Sequence, residues 1–251
     1  MKLGELIADR GTKKIYRSGD LAIKVFENEA FSKADILNEA CNQARVEDLA
    51  DLHIPRIREV MKIDGKWAIA TEFVEGKTLQ ELMDENPKKM DKYLEMFVDL
   101  QILVHSHSVA NLNSQKEKMQ RKISQSALDA TARYELHTRL ASLPTHNKVC
   151  HGDFNPSNII IDKKGVMHIL DWAHVTSGNA SADVARTYLL FSLAKKDDLA
   201  TQYLKLFCEK TDTARQYVEK WLPIVAASQS VKGKPEEKEF LLKWADVVDF
   251  E

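Results

Sequence analysis

Apolar positions change their rhythm along this chain. Up to about residue 74 they fall in short runs with a period near two. From Thr78 onward they recur mostly at helical spacing, with one hairpin as the exception. Leu6-Ile7-Ala8, Lys14-Ile15-Tyr16 and Leu21–Phe26 read as strands, with a turn at Ser18-Gly19-Asp20. Residues 31–46 carry Ile36, Ala40 and Ala44 on one helical face. Ile57–Ile63 and residues 67–74 flank Asp64-Gly65, and that dipeptide between two apolar runs predicts a β-hairpin. A long amphipathic helix is predicted over 90–109, more helix in one or two pieces over 115–143, and a helix over 181–194. Three further helices are expected near 197–210, 213–228 and 235–248. The last opens on Pro235-Glu-Glu, which suits a first helical turn because proline lacks only an orphan donor there. The pattern describes an α+β chain in two lobes. A small, mainly antiparallel β lobe with one helix covers residues 1–75. A larger, mostly helical lobe covers 76–251, and Gly76 is the expected hinge.

The hairpin inside the helical part carries the densest chemistry. Ile159-Ile160-Ile161 reads as a strand, Lys163-Lys164-Gly165 as a turn with Gly165 at positive φ, and residues 166–170 as the returning strand. Pairing 162 with 166 sets 158 opposite 170. Asn158 and Asp171 then meet at one end of the hairpin, and Asp153 lies in the loop just before it. An amide oxygen and a carboxylate converging there suit Mg²⁺, a hard cation that leaves room for phosphate and water. A second carboxylate nearby can accept a proton from an attacking hydroxyl. Taken singly, each residue has a plainer role: Asn158 caps a turn, Asp171 ends a strand and Asp153 solvates a loop. In the small lobe, Lys24 lies inside Ala22-Ile-Lys-Val-Phe26 and needs a partner or a wet cleft. Glu39 on the following helix is the natural partner. A lysine so held can reach nucleotide phosphates; a structural ion pair is the alternative.

Composition narrows the classes. The chain has 251 residues, 44% of them hydrophobic, enough for a sizeable core. With 36 basic and 38 acidic side chains the net charge is −2, so no global basic field invites nucleic acid. Met-Lys-Leu-Gly-Glu-Leu at the start lacks the apolar core of a signal peptide, and no apolar run reaches the length of a membrane span. A cytoplasmic protein without a membrane partner is expected, as a monomer or homodimer. Cys41, Cys150 and Cys208 are odd in number and scattered, which suggests buried reduced thiols. His105 and His107 are two apart on a helix, point to different faces, and are expected to pack or cap rather than chelate.

With these residues placed, the chain resembles the aminoglycoside phosphotransferase and choline kinase branch of the protein-kinase-like fold, over roughly residues 5–195. The resemblance rests on His151-Gly-Asp153 with Asn158, on Ile169-Leu-Asp171-Trp, on Lys24 and Glu39 in that order, and on Ala182-Asp183-Val-Ala-Arg186. It implies an ATP- or GTP-dependent phosphotransferase that moves the γ-phosphate to a hydroxyl of a small molecule: an aminoglycoside, an amino alcohol or a sugar. It implies that Lys24, positioned by Glu39, binds the α- and β-phosphates, and that backbone groups near Glu72, Phe73 and Val74 hold adenine. Asp153 would orient the acceptor hydroxyl and take its proton, Asn158 and Asp171 would bind Mg²⁺, and His151 and Asp183 would support the catalytic loop.

Two departures from the kinase pattern stand out. The phosphate loop falls at Ala8-Asp-Arg-Gly11-Thr12 with a single glycine, where backbone amides and the Thr12 hydroxyl are the expected phosphate contacts. Asp171-Trp-Ala replaces Asp-Phe-Gly, and no long activation segment follows. Instead, residues 111–148 form an insertion of helical character that can wall a small-molecule site. A polycationic acceptor would need acids such as Asp129, Glu135, Asp246, Asp249 or Glu251, which otherwise read as solvated faces and tail. A quaternary ammonium would need a cage from Trp172, Trp221, Tyr188 or Trp244, which otherwise read as core. Two rivals stay open: a non-catalytic kinase-like nucleotide-binding module, favoured by the single-glycine loop, and an atypical protein kinase.

Overall fold

A computed structural model describes residues 3–27, 31–231 and 235–245. The chain is α+β and divides into two compact units, residues 1–90 with 156–175, and 91–155 with 176–251. This division by compactness differs from the functional cut expected at residue 75, because 76–90 and the 156–175 hairpin segment go with the first unit.

In the first unit β1 (Glu5–Asp9), β2 (Lys13–Ser18), β3 (Leu21–Phe26), β4 (Ile57–Ile63) and β5 (Lys66–Glu72) make one antiparallel sheet in the order β1-β2-β3-β5-β4. Period-two alternation sorts its side chains onto two faces. Ile23, Val25, Ile63, Ala68 and Ala70 cluster on one. Phe26 and Ile69 on the other receive Ile36 and Ala40 of α1 (Lys33–Ala44), so this helix packs on the sheet as its apolar face predicts. The helix starts at Ser32, whose hydroxyl accepts from the Asp35 amide while the Asp35 carboxylate accepts from the Ser32 amide, a reciprocal cap. The β4–β5 turn falls at Asp64-Gly65, with φ of 49° and 82°, as a two-residue hairpin loop requires.

After β6 (Gly76–Thr78) and α2 (Leu79–Glu85) the chain enters the second unit as α3 (Met90–Ser106), α4 (Gln115–Gln125), α5 (Ala130–Ser142) and β7 (Lys148–Cys150). It returns to the first unit as β8 (Ile159–Asp162) and β9 (Met167–Ile169). The second unit is completed by β10 (Thr176–Gly178), α6 (Ala180–Leu193), α7 (Asp197–Thr211), α8 (Arg215–Glu219), α9 (Leu222–Ser230) and α10 (Pro235–Ala245). Its core includes a cluster of aromatic rings in which Phe97 meets Phe154, Phe191 and Tyr203 at centroid distances of 4.7–5.8 Å.

Several expectations need correction. The single helix expected over 213–228 is two, α8 and α9, interrupted at Lys220-Trp221; Pro223 sits in the first turn of the second. Gly76 is a strand residue opposite Asp162, where a hinge was expected. An added Cβ would lie 2.3 Å from the Ile161 carbonyl oxygen, so the glycine permits a close strand approach. Cys41 is exposed rather than buried, Cys150 is buried and Cys208 lies between. Among the described residues no helix is long and apolar enough to cross a membrane. Asp246, Asp249 and Glu251, and the end of the helix expected over 235–248, lie outside the described residues.

Candidate active site

The β8–β9 hairpin sets the first half of the site. Ile159 pairs with Ile169, Ile160 with His168 and Ile161 with Met167. The Asp162 amide donates to the Val166 carbonyl at 3.0 Å and the Leu170 amide to the Asn158 carbonyl at 2.8 Å, so 158 does lie opposite 170. The turn closes through Gly165, at φ 83°, whose amide donates to the Asp162 carbonyl, while the Asp162 carboxylate accepts from the Lys164 and Val166 amides. Two residues past the end of β9, Asp171 takes φ 60° and ψ 62°, a left-handed conformation uncommon outside glycine, asparagine and aspartate. Strain of this kind concentrates where a side chain must be aimed.

Lys24 on β3 is held between two acids of the same unit. Its ammonium donates to Glu39 Oε1 at 2.8 Å and to Asp171 Oδ1 at 3.2 Å. The Glu39 side chain is 12% exposed and that of Asp171 30%. Burial alone would lower the Lys24 pKa, but the charges of Asp171 and Glu39 outweigh it and raise it above the ordinary lysine range. Conversely, the Lys24 charge holds the Asp171 carboxyl below the usual carboxylate range against its own burial, helped by Lys13 and His174. Asn42, one turn beyond Glu39, donates to the Ala173 carbonyl at 3.0 Å and so ties α1 to the turn after Asp171. A cavity of about 160 Å³ is lined by Lys24, Glu39, Asn158, Asp171 and the 72–74 segment. The Glu72 and Phe73 amides there already donate to the Arg56 and Asp20 carbonyls, at 3.0 and 2.8 Å. The amide of Val74 has no partner among the described residues. Thr12 is exposed and is not part of the cavity wall. The loop amides expected to cradle phosphate are bonded within their own turn: Arg10 to the Lys13 carbonyl, Gly11 to Asp9 Oδ1 and Thr12 to the Arg10 carbonyl. Asn158 and Asp171 offer an amide oxygen and a carboxylate on one cavity. That hard-oxygen pair fits Mg²⁺, which takes one or two carboxylates and completes its shell with phosphate and water.

The second unit holds the loop that carries Asp153. Asp183, 2% exposed on α6, accepts from the His151 amide at 3.1 Å and the Gly152 amide at 2.7 Å. Its Oδ2 also lies 3.0 Å from His105 Nε2 on α3. Burial would raise the Asp183 pKa; the His105 bond and charge, the His151 charge and the Gly152 amide outweigh it and hold it low. The Asp153 amide in turn donates to His151 Nδ1 at 3.2 Å. The Asp153 carboxylate receives Arg186 Nη2 at Oδ1 and Asn155 Nδ2 at Oδ2, both at 3.3 Å. Burial lowers the Arg186 pKa, and Asp153 opposes that shift. Arg186 and His105 acquire roles here that residue patterns alone did not assign. The spacing Asp183 to Arg186 puts both on one face of α6, a usable signal. His105 had been expected only to pack or cap.

The candidate acceptor residues divide as well. Trp172 and Trp221 are fully buried core. Tyr188 and Trp244 meet edge-to-face at 5.9 Å on the wall of a second-unit cavity of about 920 Å³, which Arg139, Arg215 and Lys220 also line. Asp129 is the N-cap of α5, and Glu135 pairs with Arg139 at 2.9 Å.

Comparison with known proteins adds a family and a fold. A family model described as "Phosphotransferase enzyme family" matches residues 16–217. No curated protein matches the chain. Among solved structures, aminoglycoside phosphotransferase APH(4)-Ia is 14% identical at a TM-score of 0.73, covering 98% of this chain and 92% of that one. A thermostable mutant of that enzyme (D198A), in ternary complex with ADP and hygromycin B, is 13% identical at 0.70, covering 98% and 92%. Choline kinase LicA from Streptococcus pneumoniae is 14% identical at 0.66, covering 97% and 92%. At these identities the likeness is one of fold.

Proposed function

The chain belongs to the phosphotransferase enzyme family, and on that premise we propose that it transfers the γ-phosphate of ATP to a hydroxyl of a small molecule. The observation that carries the proposal is Lys24 bonded to both Glu39 and Asp171 on a cavity that Asn158 and the 72–74 segment also line. A cation braced by two acids, one of which shares the cavity with a further amide oxygen, is what a bound polyphosphate needs. ATP as donor is supported by the ADP and AMP-PNP complexes of structural neighbours.

The roles follow from the chemistry of each group. Lys24 meets the α- and β-phosphates and draws charge from the leaving group. Glu39 fixes its position. The Val74 amide meets the adenine edge, since its two neighbours are already bonded. Asn158 and Asp171 hold Mg²⁺, which when bound neutralises phosphate charge. The Asp153 carboxylate accepts the proton of the acceptor hydroxyl as its oxygen bonds to the γ-phosphorus. The bond from that phosphorus to the β,γ-bridging oxygen breaks, and ADP leaves. General-base help of this kind is worth on the order of 10²–10⁴-fold. Asp183 and His151 hold the Asp153 loop through the bonds already given.

The acceptor is an aminoglycoside, an amino alcohol or a sugar. The second-unit cavity is lined by Arg139, Arg215 and Lys220 together with Glu219, and Arg139 and Arg215 are paired with Glu135 and Glu219, so its charge does not choose among these acceptors. The test is a phosphate-transfer screen with Mg²⁺ and ATP or GTP against amino alcohols, sugars and aminoglycosides, run in parallel on Asp153→Asn. Transfer to at least one small molecule is expected, with turnover reduced about 100-fold or more in the variant. Label incorporated only into protein would favour the protein-kinase rival. Nucleotide binding without any transfer would favour the binding-module rival.

A further inference from the structure

Lys13 follows the β1–β2 loop directly, and its ammonium lies 3.0 Å from Glu39 Oε2, while that of Lys24 lies 2.8 Å from Oε1. One carboxylate therefore serves two lysines. The β2–β3 register explains how they meet. Lys13 is opposite Phe26 and Ile15 is opposite Lys24, so alternation puts Lys13 and Lys24 on the same face of the sheet. The Lys13 ammonium also sits 5.0 Å from the centre of the Phe26 ring and 5.1 Å from that of Phe31, which confines it further. Arg10, Lys13 and Lys24 all line the cavity assigned to the nucleotide.

The loop between β1 and β2 makes this cluster informative. In kinases with a glycine-rich loop, that loop covers the phosphates, and successive backbone N–H groups make an anion-binding concavity. In this chain the Arg10, Gly11 and Thr12 amides are already bonded inside the turn, at 2.8–2.9 Å. A phosphate would have to break those bonds to use them. Among the described residues lining this side of the cavity are the side-chain cations of Arg10 and Lys13.

We propose that Lys13, with Arg10 beside it, is a phosphate-binding residue of this chain and supplies through side chains what loop amides supply elsewhere. The inference rests on the nucleotide site proposed above and deepens it. Without nucleotide, Glu39 balances both lysines. A polyphosphate competes with Glu39 for Lys13 and leaves the carboxylate to Lys24. A lysine that only propped α1 through Glu39 would affect every nucleotide alike. A phosphate ligand discriminates by phosphate number.

The test is calorimetric affinity for adenosine, AMP, ADP and AMP-PNP, each with Mg²⁺, in wild type, Lys13→Met, Arg10→Ala and Lys14→Met. Lys14 neighbours Lys13 on the opposite face of β2 and controls for loss of one charge. Lys13→Met is expected to bind adenosine as wild type does and to bind ADP and AMP-PNP about tenfold or more weakly, the scale of one charge-assisted contact. Arg10→Ala should show the same selectivity to a smaller extent, and Lys14→Met none. Should Lys13→Met not fold, the exposed Arg10→Ala decides. Equal weakening of adenosine and AMP-PNP, wild-type affinities in both variants, or the same selective loss in Lys14→Met would overturn the inference. Wild type that binds none of the four nucleotides would remove the nucleotide site itself, and this inference with it.

Discussion

Asp153 and Arg186 show how one contact sets the chemistry of a residue. Arg186 Nη2 reaches Asp153 Oδ1 at 3.3 Å, and Arg186 Nε is buried without a hydrogen-bond partner among the described residues. A guanidinium so placed fixes the carboxylate by shape as well as charge, which a lysine's point charge does not reproduce. Arg186→Ala is expected to cut turnover about tenfold or more while nucleotide affinity stays within about twofold of wild type. Arg186→Lys should recover only part of the loss. Steady-state kinetics with calorimetry checks this, and an equal loss of nucleotide affinity would make Arg186 a general structural prop. At this scale the sequence was informative where a residue type was out of place. Lys24 in an apolar strand called for an acid, and Glu39 is the one that meets it. It was silent on Asn42 and on the second lysine at Glu39, because Lys13 is one of many surface-type cations until the strand register turns it inward.

The β8–β9 hairpin was legible because every local signal agreed: an isoleucine run, a Lys-Lys-Gly turn and an alternating return. Its register followed from counting outward from the turn. Gly165 holds φ 83°, and no atom lies within 4 Å of a Cβ added there, so the cost of a side chain would be backbone strain alone. Gly165→Ala is expected to lower unfolding stability by about 1 kcal/mol, and an unchanged denaturation midpoint would mean that the turn tolerates another conformation. Other elements gave no such signal. β6, β7 and β10 have three residues each, too few to establish a period. Their pairing is decided by residues far away in sequence, as Gly76 against Asp162 illustrates. The break between α8 and α9 was readable from Pro223, yet the apolar spacing continued across it and masked the boundary.

At the scale of the whole molecule, fold and chemistry are written at different densities. The fold is shared with structures of 13–16% identity at TM-scores of 0.63–0.73, since binary pattern and element order can persist while most residue identities change. The proposed chemistry is concentrated in a few side chains of residues 151–171, with Lys24 and Glu39 from the first unit. The sequence carries no signal for the acceptor, and the second-unit cavity draws on α5, α6, α8, α9 and α10, where neither a motif nor a spacing links Tyr188, Trp244, Arg139 and Arg215. The central claim is that Asp171, in its left-handed backbone conformation beside Lys24, gives magnesium its carboxylate in the nucleotide complex. It is tested without any acceptor by titrating ATP into wild type and Asp171→Ala, with and without Mg²⁺, by calorimetry. Magnesium should strengthen ATP binding in wild type and make no difference in the variant. The same magnesium-dependent gain in Asp171→Ala would contradict the claim.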